Sequence, residues 1–205
     1  MIRGILLAAT AVAAIGATPQ AQAQAQSGDA TWQFRCPAAG TTVEQSSGTT
    51  LRFRGPASTN PGECMMAGNQ RRFMGYWQVG EGFYNAAGPR LTAAFANGIN
   101  LANVSPLEFT YYGFNRSNDS IQLMERWTAA AGGAVTTPAG TFDTVRVDRY
   151  FNVVGSSFQY TQSVWFDRAT NVPVRANIDH RNFAQAPTLV NWVAFDVTRP
   201  QTASR

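Results

Sequence analysis

Apolar and polar residues alternate along most of this chain with the two-residue period of half-buried β-strands. Thr31-Trp32-Gln33-Phe34-Arg35 starts the pattern, and Leu51-Arg52-Phe53-Arg54 repeats it with Leu51 and Phe53 on one face. Residues 73–79 read as a further strand, 80–82 as a turn, and 91–96 as the one place where a short helix fits. An aromatic strand over 107–114 ends in the turn cluster 115–120. Residues 121–127 read as a strand and 135–137 as a strand end. Over 141–151, Val145, Val147 and Phe151 face one way, and Arg146, Asp148 and Tyr150 the other. Over 158–167, Tyr160, Val164 and Phe166 oppose Trp165, and over 172–179 Val172, Val174, Ala176 and Ile178 share a face. A last strand over 189–197 sets Val193, Phe195 and Val197 opposite Trp192. Short turns such as Pro138-Ala139-Gly140 and Gly155-Ser156-Ser157 separate these segments, which indicates antiparallel pairing. Strands with one apolar face need a covering layer. The expected fold is mainly β: an antiparallel sheet as a half-barrel or sandwich, with at most one or two short helices.

The first residues break this pattern. Arg3 precedes an apolar run over 4–17, then Thr18, Pro19 and Ala21-Gln22-Ala23. That is the layout of a secretory signal peptide with small residues at a cleavage site, and Ala23-Gln24-Ala25 offers a second site two residues on. A run of 14 residues is too short to span a bilayer. The expected organisation is a leader over 1–23 and one exported β domain over 24–205. A disulfide-bearing lobe occupies about 30–100 and a regular antiparallel lobe about 101–200. The expected location is the periplasm or the exterior, with no membrane span in the mature chain. In an oxidising compartment Cys36 and Cys64 are the one pair the chain offers, and their spacing is unlike the C-x-x-C of redox pairs. Closing that loop stabilises a fold by about 3–4 kcal/mol in the chain-entropy treatment.

The segment VTTPAGTFDTVRVDRYF, followed after 13 residues by WFDRATNVPVRANI, resembles a pattern in uncharacterised bacterial envelope proteins. These are allied to the lipoprotein-carrier (LolA/LolB-like) half-barrel superfamily. The residues that carry the resemblance are Pro138, Ala139, Gly140, Thr141, Phe142, Val145, Val147, Trp165, Phe166, Asp167, Pro173, Val174 and Arg175. It covers 135–176 only, and each of these residues has a structural use. The resemblance therefore implies a fold more than a function. The Cys36–Cys64 half departs from that pattern.

Composition narrows the chemistry. All 16 basic residues are Arg, against 12 acids. Loss of Arg3 with the leader leaves 15 Arg and a net charge of +3. Without Lys, Schiff-base chemistry and a phosphate-loop lysine are excluded. One His and two Cys exclude all-His and all-Cys metal sites, and no cofactor is called for. His180 follows Asp179 on a strand, so the two point to opposite faces and Asp179 does not orient it. No G-x-S-x-G is present. Asp143 and Asp148 fall on opposite faces, Asp167 and Asp179 flank one hairpin, and Glu125 stands beside Arg126 and Trp127; no spacing singles out a catalytic pair. Residues 115–120 read as a turn rather than a cation loop. Arg71-Arg72 beside aromatics reads as an edge strand with solvated Arg, and nucleic acid is not the expected partner.

Twenty-four Phe, Trp and Tyr are spread over nearly every strand, and several strands carry them on both faces. Two-sided aromatic strands imply burial on both sides or a second apolar surface for a ligand. The candidate ligand-binding residues are Trp77, Tyr111, Tyr112, Trp165 and Trp192. The expected function is that of a non-catalytic exported envelope protein binding an apolar ligand or protein partner through a sheet face. A carbohydrate- or wall-associated module, with or without hydrolytic activity, and a structural assembly component are the alternatives.

Overall fold

The computed structural model of the chain describes residues 31–58, 60–115, 117–180 and 190–200. The expected leader over 1–23 and residues 24–30 lie outside the described residues. Strands β1 (Thr31–Trp32), β2 (Thr42–Gln45), β3 (Thr50–Pro56), β4 (Glu63–Met66) and β5 (Arg71–Phe73) come first. Helices α1 (Glu81–Ala86) and α2 (Gly88–Ala96) follow, then the short β6 (Ile99–Asn100). The remainder is β7 (Leu107–Phe114), β8 (Ser120–Thr137), β9 (Gly140–Val153), β10 (Gln159–Asp167), β11 (Pro173–His180) and β12 (Trp192–Thr198).

Ten of these strands form one antiparallel sheet in the order β5-β4-β3-β2-β12-β11-β10-β9-β8-β7. The sheet has two free edges and is not closed into a barrel, so the mainly-β antiparallel expectation holds. Strands β7 to β11 run as consecutive hairpins, β12 pairs with β11, and β2 joins them by pairing with β12. The pairs Val147–Val164, Val164–Ala176 and Ala129–Val147 put the expected apolar positions on one shared face.

That face is covered by the N-terminal half. Phe83, Ala87, Leu91 and Phe95 are buried at four-residue spacing along α1 and α2, giving the helices one apolar stripe. Phe83 lies edge-on to Phe73 at 5.5 Å and 5.9 Å from Trp127 of the sheet. Trp77 packs 4.7 Å from Trp127, and Trp32 and Phe34 each lie 6.0 Å from Phe166. Rings of this size supply most of the apolar area of the layer, and their edge-to-face geometry adds about 0.5–1.5 kcal/mol per pair. The Cys36–Cys64 disulfide ties the segment after β1 to β4, with Cα atoms 5.5 Å apart.

Several expectations need correction. Residues 73–79 are not a strand. β5 ends at Phe73 because Met74 (φ 49°) and Gly75 (φ 70°) turn the backbone through the left-handed region. A side chain at Gly75 would also sit 2.5 Å from the Phe53 ring. Residues 80–82 open α1 instead of forming a turn. β8 continues through 128–134, where Ala and Gly carry little strand signal, with a bulge between Ala131 and Gly133. In β12 Trp192 and Ala194 take the buried face and Phe195 is 61% exposed. The irregular register between Ala194 and Asp196 then returns Val197 to the core side. Asp167 and Asp179 do not approach: Asp167 lies at the β10–β11 turn, and Asp179 pairs with Thr161 toward the other end of the hairpin. Arg71 is solvated as expected on the edge strand, but Arg72 is half-buried.

Candidate functional site

Three neighbouring strands each carry a polar residue on the buried face. Glu125 stands between Leu123 and Trp127 on β8, Arg149 between Val147 and Phe151 on β9, and Gln162 between Tyr160 and Val164 on β10. The register places Arg149 opposite both Trp127 and Gln162.

Glu125 is fully buried and accepts four hydrogen bonds. Arg149 donates from Nε at 2.9 Å and Nη2 at 2.5 Å, Tyr111 from its hydroxyl at 2.6 Å, and Trp127 from Nε1 at 2.7 Å. The Arg149 guanidinium also lies 5.6 Å from the Trp127 ring and 5.3 Å from that of Phe151. A carboxylate has about four acceptor sites, so Glu125 has none left for a substrate proton. Burial pushes the Tyr111 phenol well up, and the adjacent Glu125 charge pushes it further. Burial raises Tyr160 as well, with Arg149 opposing and Glu125 adding. This cluster organises the interior and is not built for acid–base chemistry.

A second network continues from it. Trp77 Nε1 donates to Gln162 Oε1 at 2.7 Å, and Gln162 Nε2 donates to the Tyr76 hydroxyl oxygen at 3.0 Å. Trp192 Nε1 donates to the same oxygen at 3.2 Å. The Tyr76 ring lies 5.3 Å from Trp77 and 5.8 Å from Trp192. These groups border a cavity of about 330 Å³, together with Arg72, Arg149 and Tyr160. Burial raises the Tyr76 phenol, against the bonds from Trp192 and Gln162. Burial lowers the Arg72 guanidinium, and Tyr76 opposes it. Another cavity, of about 570 Å³, lies beside Glu63, Arg71 and Tyr84, but there Arg71 already pairs with Glu63 at 3.8 Å.

The five candidate aromatics do not form one cluster. Trp77 (2% exposed) and Trp192 (4%) meet through Tyr76 at the smaller cavity. Tyr111 lies on the same face but is committed to Glu125. Tyr112 is 68% exposed on the opposite face. Trp165 is on that face too, half-buried beneath Arg175, whose guanidinium carbon is 4.8 Å from the ring centre. Sequence reasoning missed Glu125, Arg149, Gln162, Tyr76 and Arg72 as members of this region. The available signal was a polar residue on the apolar parity of three successive strands. Asn115 and Asp119 bond to each other, Asp119 N donating to Asn115 Oδ1 at 2.8 Å. Among the described residues, no three His, Cys, Asp or Glu side chains converge, and no helix is long and apolar enough to cross a membrane.

No protein-family model, no curated protein and no solved structure matches the chain.

Proposed function

We propose that the protein is an exported, non-catalytic envelope protein that binds a ligand or protein partner on the covered face of its sheet, with the Tyr76–Trp77–Trp192 cavity as the recognition point. The leader pattern at residues 1–23 and the Cys36–Cys64 bridge support a periplasmic or extracellular location. The resemblance to the lipoprotein-carrier half-barrel superfamily supports binding over catalysis.

The observation that carries the reading is the cavity itself. Aromatic rings and a few oriented polar groups converge on a partly open cavity of about 330 Å³, at the lower end of small-ligand sites. The sheet face nearby is filled by Phe73, Trp77 and Phe83 against Trp127, which leaves the cavity as the place for a ligand. The carbohydrate alternative finds less support: sugar rings stack on open indole faces, and Trp77 and Trp192 are only 2% and 4% exposed.

Native mass spectrometry of the mature protein isolated from its own envelope fraction tests the reading. A released small molecule, or a fixed protein partner whose retention depends on Trp192, is the expected result. A clean apo mass, with no partner and no uptake of any small-molecule probe, would overturn it.

A further inference from the structure

We infer that the cavity beside Tyr76 is an anion site, taking a small carboxylate- or phosphate-bearing molecule with Arg72 as its counter-charge. This inference rests on the cavity being the recognition point and names the chemistry of its ligand.

Gln162 is used at both ends, accepting from Trp77 and donating to Tyr76. The Tyr76 oxygen already accepts from Gln162 and Trp192, so its own proton is what remains to offer. Gln45, also on the wall, accepts from Ser47 Oγ at 3.3 Å through Oε1, which leaves its amide nitrogen as donor. The Tyr160 hydroxyl has no partner among the described residues and borders the same space. The wall groups Tyr76, Gln45 and Tyr160 therefore each have a donor left, which a ligand bringing acceptors would satisfy.

Arg72 and Arg149 are the charged groups on the wall, and no carboxylate lines it among the described residues. Arg149 is neutralised by Glu125. Arg72 has no ion pair among the described residues, and its buried Nε has no hydrogen-bond partner. Its neighbour Arg71 takes Glu63 instead. A half-buried guanidinium without a counter-charge is unfavourable, and an oxyanion, with geometry matched to the guanidinium fork, removes that cost. The rings of Tyr76, Trp77 and Trp192 leave room beside the charge for a compact apolar body.

The test is a tryptophan-fluorescence and calorimetric titration of the full mature chain with benzoate, phenyl phosphate, inorganic phosphate and the neutral benzyl alcohol. Benzoate and phenyl phosphate should both bind. Inorganic phosphate binding as tightly as phenyl phosphate would assign the site to the free ion, and weaker binding would assign it to an oxyanion on an organic body; both support an anion site. Arg72→Gln should weaken the anions by roughly tenfold or more, as loss of a desolvated charge partner does. Arg72→Lys, which keeps the charge without the fork, should fall between. Arg126→Gln, on the opposite face, should change nothing; circular dichroism checks that each variant folds. Benzyl alcohol binding as well as benzoate, or anion affinity indifferent to both Arg72 variants, overturns the anion site. A neutral molecule recovered from the native protein would also sink it while leaving the binding reading intact. Failure of every probe, together with a clean apo mass, would sink both.

Discussion

Arg149 grips both oxygens of Glu125 from the adjacent strand, at 2.9 and 2.5 Å, in a site where the carboxylate is fully buried and the guanidinium 8% exposed. Removing one ion leaves the other uncompensated in a low-dielectric interior, which costs about 3–5 kcal/mol. Glu125→Ala should therefore lower the unfolding free energy by about that amount in urea titrations. The paired change Glu125→Leu with Arg149→Met should be far milder, because apolar groups of similar volume avoid the desolvation penalty. A double variant as unstable as the single one would refute this account of the pair.

The disulfide is a second separable contribution. It closes a sequence separation of 28 residues and anchors β4 to the segment that carries Phe34. Cys36→Ser with Cys64→Ser should cost about 3–4 kcal/mol, measured as a drop in denaturation midpoint with unchanged circular dichroism at low denaturant. A midpoint equal to that of the parent would show that packing of Trp32 and Phe34 holds this segment unaided.

Buried phenols set the alkaline limit of stability. Tyr76, Tyr84, Tyr111 and Tyr160 are all raised above the ordinary value of 10.0, Tyr84 to about 12, chiefly by burial. Above that ordinary value the unfolded chain loses phenolic protons that the folded chain retains. The folded state then binds more protons, so stability falls as pH rises from about 10 upward and is full below it. Melting temperature followed against pH, with phenolate absorbance in parallel, should show the fall and a jump in ionisation on unfolding. Flat melting temperatures across that range would contradict the buried-phenol assignment.

Much of the regular half was legible because its strands obey period two: Val145, Val147, Val164, Phe166, Val174 and Ala176 all point inward as read. The failures have physical causes. Met74 at positive φ is a conformation that no periodicity announces. The stripe Phe83, Ala87, Leu91, Phe95 has a clear helical spacing, but Ala87-Gly88-Pro89 interrupts it and disguises α1. The site was less legible than the fold. Trp77 and Trp192 are far apart in the chain and are joined by Tyr76, whose role exists only after β5 has turned back on itself. Glu125 looked like one acid among twelve, since its partner Arg149 lies 24 residues on.

Gly132 gives a local test of the long β8–β9 pairing. A Cβ there would lie 2.4 Å from Thr144 Oγ1 and 2.9 Å from Trp165 Cδ1. Thr144 is itself held, donating to the Gly133 carbonyl at 2.7 Å. Gly132→Ala should therefore destabilise by about 1–3 kcal/mol through overpacking. Adding Trp165→Leu should recover part of this loss, since one of the two collisions is then removed. Thermal unfolding of the single and double variants measures it, and no recovery would mean that Thr144 alone sets the limit.

The division of the five aromatics between two faces separates binding from scaffolding. Trp192 reaches the cavity through its bond to Tyr76, whereas Tyr112 and Trp165 lie across the sheet from it. Trp192→Phe keeps an aromatic ring but deletes the indole donor, so Tyr76 loses one of its two donors and the hydroxyl is free to rotate. Binding of benzoate to this variant should weaken several-fold, with a stability loss of about 1 kcal/mol. Tyr112→Ala should leave both quantities unchanged, because its side chain is open to solvent away from the cavity. Trp165→Ala should lower stability through lost packing under Arg175 but leave affinity intact. Weaker binding in either outer-face variant at unchanged fold would move the recognition surface to the opposite side of the sheet.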